Sequence, residues 1–257
     1  MIIAIINNKG GTGKTTTCVN LSASLASSGY RILLVDLDSQ ASASLSLGID
    51  RNRLSPSSAH VLFGTAKVAE AIRPGVVSGL DVLPGQMELA NTDLMLADVQ
   101  GRERKLAESL NRVNGSYDFV LLDCPPSLSM LSINALVAAH YYVVPVTAEY
   151  LALEGLVSLM NGIDRLKRGI GVAPELLGIL FTLVNPCLKM SEDISQLIRE
   201  HYGTQVFETE IGRDVKLGEA PAYGCSIFDH APNSRGAGAY ARLAQEMIDR
   251  CNTKGGG

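Results

Sequence analysis

The strongest constraint on the fold lies in the first fifty residues, where two apolar runs bracket a glycine-rich loop and a helix-forming stretch. Residues 2–6 form a short, continuous run rich in isoleucine, the pattern of a strand covered on both faces. Gly10, Gly11 and Gly13 follow. Residues 15–28 are then rich in Ala, Leu and Ser, with no breaker before Gly29. Residues 32–35 are a second buried-strand run that ends at Asp36. Strand, helix and strand at this spacing predict a parallel pair joined by a right-handed crossover.

The alternation continues without sequence repeats. Further strands are expected at 80–83, 119–122, 142–146, 177–184 and 206–211. Helices are expected at 87–97, 102–113, 128–139, 153–168, 191–202 and 238–250. This order predicts an α/β fold, a doubly wound, mostly parallel sheet with helices on both faces. No linker divides the 257 residues, so the reading is a single domain over 1–251 with a flexible tail at 252–257. A composition of 46% hydrophobic and 19% charged residues supplies a core and excludes a disordered chain. Residues 124–148 carry no Asp, Glu, Lys or Arg, but Pro125, Pro126, Ser127, Ser129, Asn134, His140 and Pro145 interrupt them. No apolar run of about 20 residues survives there, so the segment reads as buried core rather than a membrane span.

The loop Lys9-Gly10-Gly11-Thr12-Gly13-Lys14-Thr15-Thr16 leaves a strand and opens a helix, the setting of a phosphate-binding loop. Glycines let backbone N–H groups turn inward, and the helix N-terminus adds positive partial charge. Lys14 then reaches β- and γ-phosphates, and the Thr15 hydroxyl is placed to ligate Mg²⁺. The general pattern wants glycine at position 8, where this chain has Asn8, and Lys9 is a second lysine inside the loop. Two lysines side by side need anionic compensation, which fits a γ-phosphate in its own site or in a partner's. The dinucleotide fingerprint fails, because Thr16 stands where its third glycine belongs.

Five scattered cysteines with no C-x-x-C pair fit a reduced, cytosolic chain and argue against a disulfide framework or zinc site. No basic region precedes the first apolar run, so a signal peptide is not expected.

These motifs resemble the ParA/Soj and MinD group of P-loop ATPases with a deviant Walker A loop. The loop itself is the first match. Val35-Asp36-Leu37-Asp38-Ser39-Gln40 resembles the family's V-D-x-D-P-Q, and Leu122-Asp123-Cys124-Pro125-Pro126-Ser127 its Walker B segment. Residues 149–155 are similar to E-Y-Y-A-L-E-G, residues 214–221 to N-V-R-L-S-E-A-P, and residues 234–237 to S-R-G-A. The likeness covers nearly the whole chain and is greatest to the small chromosomal ParA/Soj type.

The resemblance implies a cycle. The protein would bind ATP with Mg²⁺, form a homodimer across the nucleotides, and bind DNA non-specifically in that state. A ParB-like or other cargo-adaptor protein would stimulate hydrolysis. The location implied is cytoplasmic and nucleoid-associated, and the ATPase is implied to be weak. The implied roles are Lys9 reaching the other subunit's nucleotide, Asp38 positioning the attacking water, and Asp123 in the Mg²⁺ shell. Asp36 is a candidate for the same shell or a cap for the next helix. Asn185 is a candidate base contact or a turn residue ahead of Pro186. Arg213 and Lys216 fall on positions linked to DNA binding, with Lys189 and Arg199 as additions. Cys187 stands where close relatives carry a DNA-contacting Arg.

Two alternatives share the loop. A MinD-like ATPase would carry a basic amphipathic helix beyond the last core helix, but only residues 252–257 follow here, so no membrane partner is expected. An iron–sulfur carrier or reductase needs paired cysteines, and Cys124 has no second cysteine in a matching loop. The net charge of −4, from 22 basic and 26 acidic residues, argues against a constitutive nucleic-acid binder. A dimer that doubles a local patch would instead make DNA affinity depend on ATP.

Overall fold

A computed structural model describes residues 1–113, 115–171, 174–185 and 189–255. Among these residues eight strands are present: β1 (Ile2–Ile5), β2 (Ile32–Asp36), β3 (Arg73–Val77), β4 (Leu80–Leu83), β5 (Phe119–Asp123), β6 (Tyr141–Thr147), β7 (Glu175–Val184) and β8 (Ile211–Gly212). They form one sheet in the order β3-β4-β2-β5-β1-β6-β7-β8. All described pairings are parallel except that of β3 with β4. The helices of nine residues or more are α1 (Lys14–Ser27), α2 (Met130–Ala138), α3 (Ala152–Ile170), α4 (Lys189–Tyr202) and α5 (Arg235–Gly255).

The alternation along β1 divides the core. Ile3 and Ile5 pack on the side of α1 and α5, with Leu21, Leu25, Tyr240 and Met247. Ala4 and Ile6 pack on the other side with α2, α3 and α4, against Leu136, Leu159 and Ile198. The sheet is therefore covered on both faces, as the unbroken apolar runs require. This is the doubly wound α/β fold expected from the sequence.

Register sets up the site. Asp36 at the end of β2 lies directly across from Asp123 at the end of β5, and Ile5 of β1 pairs with Asp123 on its other side. Two carboxylates and the loop after β1 therefore emerge together at the carboxyl edge of the sheet, where such folds bind ligands.

Several expectations change, and the helices expected at 87–97 and 102–113 break into 3₁₀ turns and the short helices Thr92–Met95 and Lys105–Leu110. The strand at 206–211 shrinks to Ile211–Gly212 plus a single bridge from Val206 to Ile179. The N–H groups of Glu208 and Thr209 donate instead to the Glu246 carboxylate of α5, at 2.9 Å each. Strand β3 is not among the expected strands; it contains Pro74 and Gly75, and as an antiparallel edge strand it tolerates both. The last helix continues past Cys251 to Gly255, into the expected tail. Lys254 holds that turn by donating to the Leu176 carbonyl at 2.8 Å, and the Thr253 hydroxyl donates to the Asp249 carbonyl at 2.9 Å.

Candidate nucleotide-binding site

The loop from Lys9 to Gly13 is a tight arch between β1 and α1. Gly11 and Gly13 take φ values of +74° and +75°, the left-handed region that residues with a Cβ rarely enter. Gly10 has open space where a Cβ would stand. Asn7 anchors the start of the arch. Its side chain donates to the Pro145 carbonyl at 2.7 Å and accepts the Lys9 N–H at 3.0 Å. Thr12 is buried, and its carbonyl accepts the Thr182 hydroxyl at 2.9 Å, tying the arch to the end of β7. Thr16 turns its carbonyl to the Asn20 side chain at 2.8 Å, inside the first turn of α1.

The two lysines are held differently. Lys14 is buried and folds back across the arch, its Nζ donating to the Lys9 carbonyl at 2.9 Å. Burial lowers its pKa, partly offset by attraction to Asp123. Lys9 is half-exposed at the rim and pairs through Nζ with the half-exposed Glu149 carboxylate. That pair holds the Glu149 carboxyl below its ordinary range.

The acidic residues also divide by partner. Asp36 is fully buried and fully occupied. Its Oδ2 accepts the Ser44 N–H at 2.9 Å and the Ser44 hydroxyl at 2.7 Å, and its Oδ1 accepts the Asp38 N–H at 3.1 Å. Burial nonetheless pushes its pKa up to about 6. Asp123 is equally buried, yet neither of its carboxylate oxygens has a hydrogen-bond partner. Burial and then the neighbouring Asp36 push it up to about 8; the Thr15 hydroxyl pulls the other way but lies outside hydrogen-bond geometry. A buried carboxylate without a donor is costly, and it is a standing acceptor for a hard cation. An anionic oxygen with the Thr15 hydroxyl beside it fits Mg²⁺, and Asp123 rather than Asp36 has oxygens to spare.

Asp38 is partly exposed on a turn that follows β2. Its Oδ1 accepts the Gln40 N–H at 3.0 Å and its carbonyl accepts the Ala41 N–H at 2.9 Å. Ala41 holds φ at +54°, a strained value for a residue with a Cβ, and such strain concentrates at functional turns. Gly85 closes against this turn: a Cβ there would stand 2.6 Å from the Asp38 carbonyl oxygen and 2.8 Å from Asp36 Oδ1. A cleft of about 390 Å³ opens beside Asp38, with Gln40, Asp93, Pro125 and Ser127 in its wall.

Asn185 follows β7 at the edge of a second cleft, of about 700 Å³, walled by Ser191, Gln196 and Arg199 of α4. The expected DNA-contacting residues lie on the same edge of the sheet. Arg213 is exposed directly after β8, and its N–H donates to the Val184 carbonyl at 3.1 Å. Lys216 is exposed on the short helix Val215–Glu219, where it pairs with Glu219 at 2.8 Å. Lys189 is exposed at the start of α4. Arg199 departs from expectation. It donates to the Phe207 carbonyl at 3.1 Å and to Glu210 at 2.8 Å, with its guanidinium 5.2 Å from the centre of the Phe181 ring. It fastens α4 to the sheet instead of joining a cationic surface. Cys187 lies outside the described residues, and Cys124 is buried, its thiol directed to the Leu122 carbonyl at 3.8 Å.

Sequence reasoning missed Ser44, Gly85 and Thr182, which hold the site from outside the motifs. Glu149 was visible only as the first residue of a resembling segment. No local signal marks Ser44 or Thr182, because their partners are distant in sequence.

A glycine arch between β1 and α1, an inward-turned lysine and paired acidic strand ends define a P-loop nucleotide-binding protein. Residues 1–174 match the family described as AAA domain. The chromosome-partitioning ATPase Soj of Thermus thermophilus is 44% identical over 248 residues, 96% of this chain and 95% of the relative. The chromosome partitioning protein ParA of Caulobacter vibrioides is 38% identical over 251 residues, 97% and 94% of the two chains. Among solved structures, cobyrinic acid a,c-diamide synthase from Mycobacterium smegmatis, with bound ADP and magnesium, superposes with a TM-score of 0.83 at 33% identity, covering 99% of this chain and 96% of that one. The chain belongs to the ParA/Soj family. No helix among the described residues is long and apolar enough to cross a membrane.

Proposed function

We propose that the protein is a partition or positioning ATPase that dimerises on ATP, binds DNA non-specifically as the ATP dimer, and is released after a partner protein stimulates hydrolysis. One observation carries the reading: a second lysine, Lys9, stands at the rim of the phosphate loop, half-exposed and held by an equally accessible carboxylate, Glu149. An exposed pair of this kind contributes ~1 kcal/mol or less, so Lys9 is readily released toward an anion from another subunit. Kinship to proteins named ParA and Soj supports the partition role and the DNA partner.

In this reading ATP displaces the Lys9 carbonyl from Lys14, whose ammonium turns to the β- and γ-phosphates, while the N–H groups from Gly10 to Thr16 line the arch. Thr15 and Asp123 would hold Mg²⁺, which when bound would supply positive charge against the phosphate oxygens, and Asp36 stays engaged by Ser44. Asp38 orients the attacking water, and its partly exposed turn leaves room for one. Lys9 crosses to the nucleotide of the second copy, much as an arginine finger acts in trans. Asn185 contacts the base, and Lys189, Arg213 and Lys216 face DNA. Weak basal turnover follows, because the trans lysine is absent from the monomer.

Light scattering of the purified chain with ATP and Mg²⁺ tests the dimer. Asp38→Ala is expected to accumulate at twice the monomer mass and Lys14→Ala to stay monomeric. A monomeric Asp38→Ala at saturating ATP contradicts the reading.

A further inference from the structure

Asp214 joins two elements that the sequence keeps apart. Its Oδ1 accepts the Lys216 N–H at 2.9 Å, capping the helix Val215–Glu219. Its Oδ2 accepts the Gly236 N–H at 2.8 Å, at the start of α5. The approach is close. A Cβ on Gly236 would stand 2.8 Å from Leu217 Cγ and 3.1 Å from Asp214 Oδ2. Ser234 completes the corner by accepting the Ala237 N–H at 3.1 Å. Through Asp214, whose two oxygens are both engaged, the first turn of α5, which Arg235 opens, is tied to the turn that carries Arg213 and Lys216.

The three cations are not equal. Lys216 is paired with Glu219 at 2.8 Å, and the same Glu219 oxygen lies 3.1 Å from His230 Nε2. Arg213 lies near enough to Glu149 to help hold that carboxyl below its ordinary range. Arg235 is exposed and forms no ion pair among the described residues. We infer that Arg235 is a DNA-contacting residue of the ATP dimer, held in register with Arg213 by Asp214, and that it outweighs Lys216 in binding the phosphate backbone. This rests on the DNA-binding reading above and refines where the contact lies. A cation already matched by a carboxylate gains less from a phosphate, since one counter-charge merely replaces another. An unmatched guanidinium releases a condensed counterion and offers a planar fork for phosphate oxygens.

Fluorescence anisotropy with a labelled duplex of arbitrary sequence, in ATP and Mg²⁺ across about 50 to 200 mM salt, tests the assignment on the full chain. Arg235→Gln is expected to reduce the slope of log affinity against log salt by about 0.9 for each protomer engaged, and Arg235→Lys to keep it. Lys216→Ala is expected to reduce the slope less than Arg235→Gln, and Glu219→Gln, which frees Lys216, to raise affinity several-fold. A wild-type slope in Arg235→Gln, or a greater loss in Lys216→Ala, overturns the assignment while leaving the DNA reading intact. Wild-type protein that ignores DNA at every salt concentration overturns both. Binding to anionic vesicles in place of DNA does the same, by giving the corner a lipid surface.

Discussion

Ser44 meets the buried carboxylate of Asp36 twice, through its N–H at 2.9 Å and its hydroxyl at 2.7 Å, both on Oδ2. The same hydroxyl accepts the Gly85 N–H at 3.1 Å, so one side chain joins the end of β2, the turn bearing Asp38 and the loop after β4. Ser44→Ala leaves the buried Gly85 N–H without its acceptor and removes one of the two donors to Asp36 Oδ2. The expected cost is about 1–3 kcal/mol, read as a lower denaturant midpoint at unchanged slope.

The two strand-end carboxylates give stability an unusual pH dependence. Asp36 and Asp123 are pushed up, to about 6 and about 8, by burial. The folded chain therefore keeps protons that the unfolded chain releases near pH 4. Because the native state binds more protons, stability falls as pH rises from about 4 to about 8 and is level above that. Asp123→Asn removes the larger part of this slope. Denaturant midpoints from pH 4 to 9 should show the variant nearest wild type at the acid end and increasingly above it up to about pH 8. Mg²⁺ affinity, measured calorimetrically with nucleotide, should rise over the same interval as Asp123 loses its proton.

Gly48 and Gly224 touch back to back. Both hold positive φ, +80° and +65°, and a Cβ on Gly48 would lie 2.8 Å from the Gly224 carbonyl oxygen. Backbone occupies the space on each side, so no rotamer relieves the clash. Gly48→Ala and Gly224→Ala are each expected to destabilise by about 1–3 kcal/mol. Because the contact links the segment after Asp38 to the one after Lys216, melting temperatures of the two single variants and the double should be non-additive.

The Lys9–Glu149 pair separates stability from turnover. Its partners are 48% and 55% exposed, so Glu149→Gln should shift stability by ~1 kcal/mol or less. Lys9→Ala should be equally stable yet lose partner-stimulated ATP hydrolysis, measured as phosphate release.

The glycine-rich loop, the fold class and the positions of the central strands were legible in the sequence, because each rests on a local pattern. Unbroken apolar runs mark β1, β2 and β5, and glycines followed by Lys14 mark the arch. What was not legible depends on contacts between distant segments. Glu246 takes the donors of Glu208 and Thr209 and cuts the expected 206–211 strand short. Arg199 looks like a surface cation in sequence, and only the Glu210 and Phe207 partners show it fastening α4. Asp36 and Asp123 read alike as acidic strand ends. The distinction between a carboxylate occupied by Ser44 and one left unpartnered exists only in three dimensions.

Co-sedimentation with non-specific duplex DNA in the presence of ATP, ADP or no nucleotide tests the central claim most directly. Wild type and Asp38→Ala should pellet with DNA only when ATP and Mg²⁺ are present, Asp38→Ala the more persistently, and Lys14→Ala should stay in the supernatant throughout. DNA binding that is indifferent to nucleotide, or absent with ATP in both wild type and Asp38→Ala, would contradict the account.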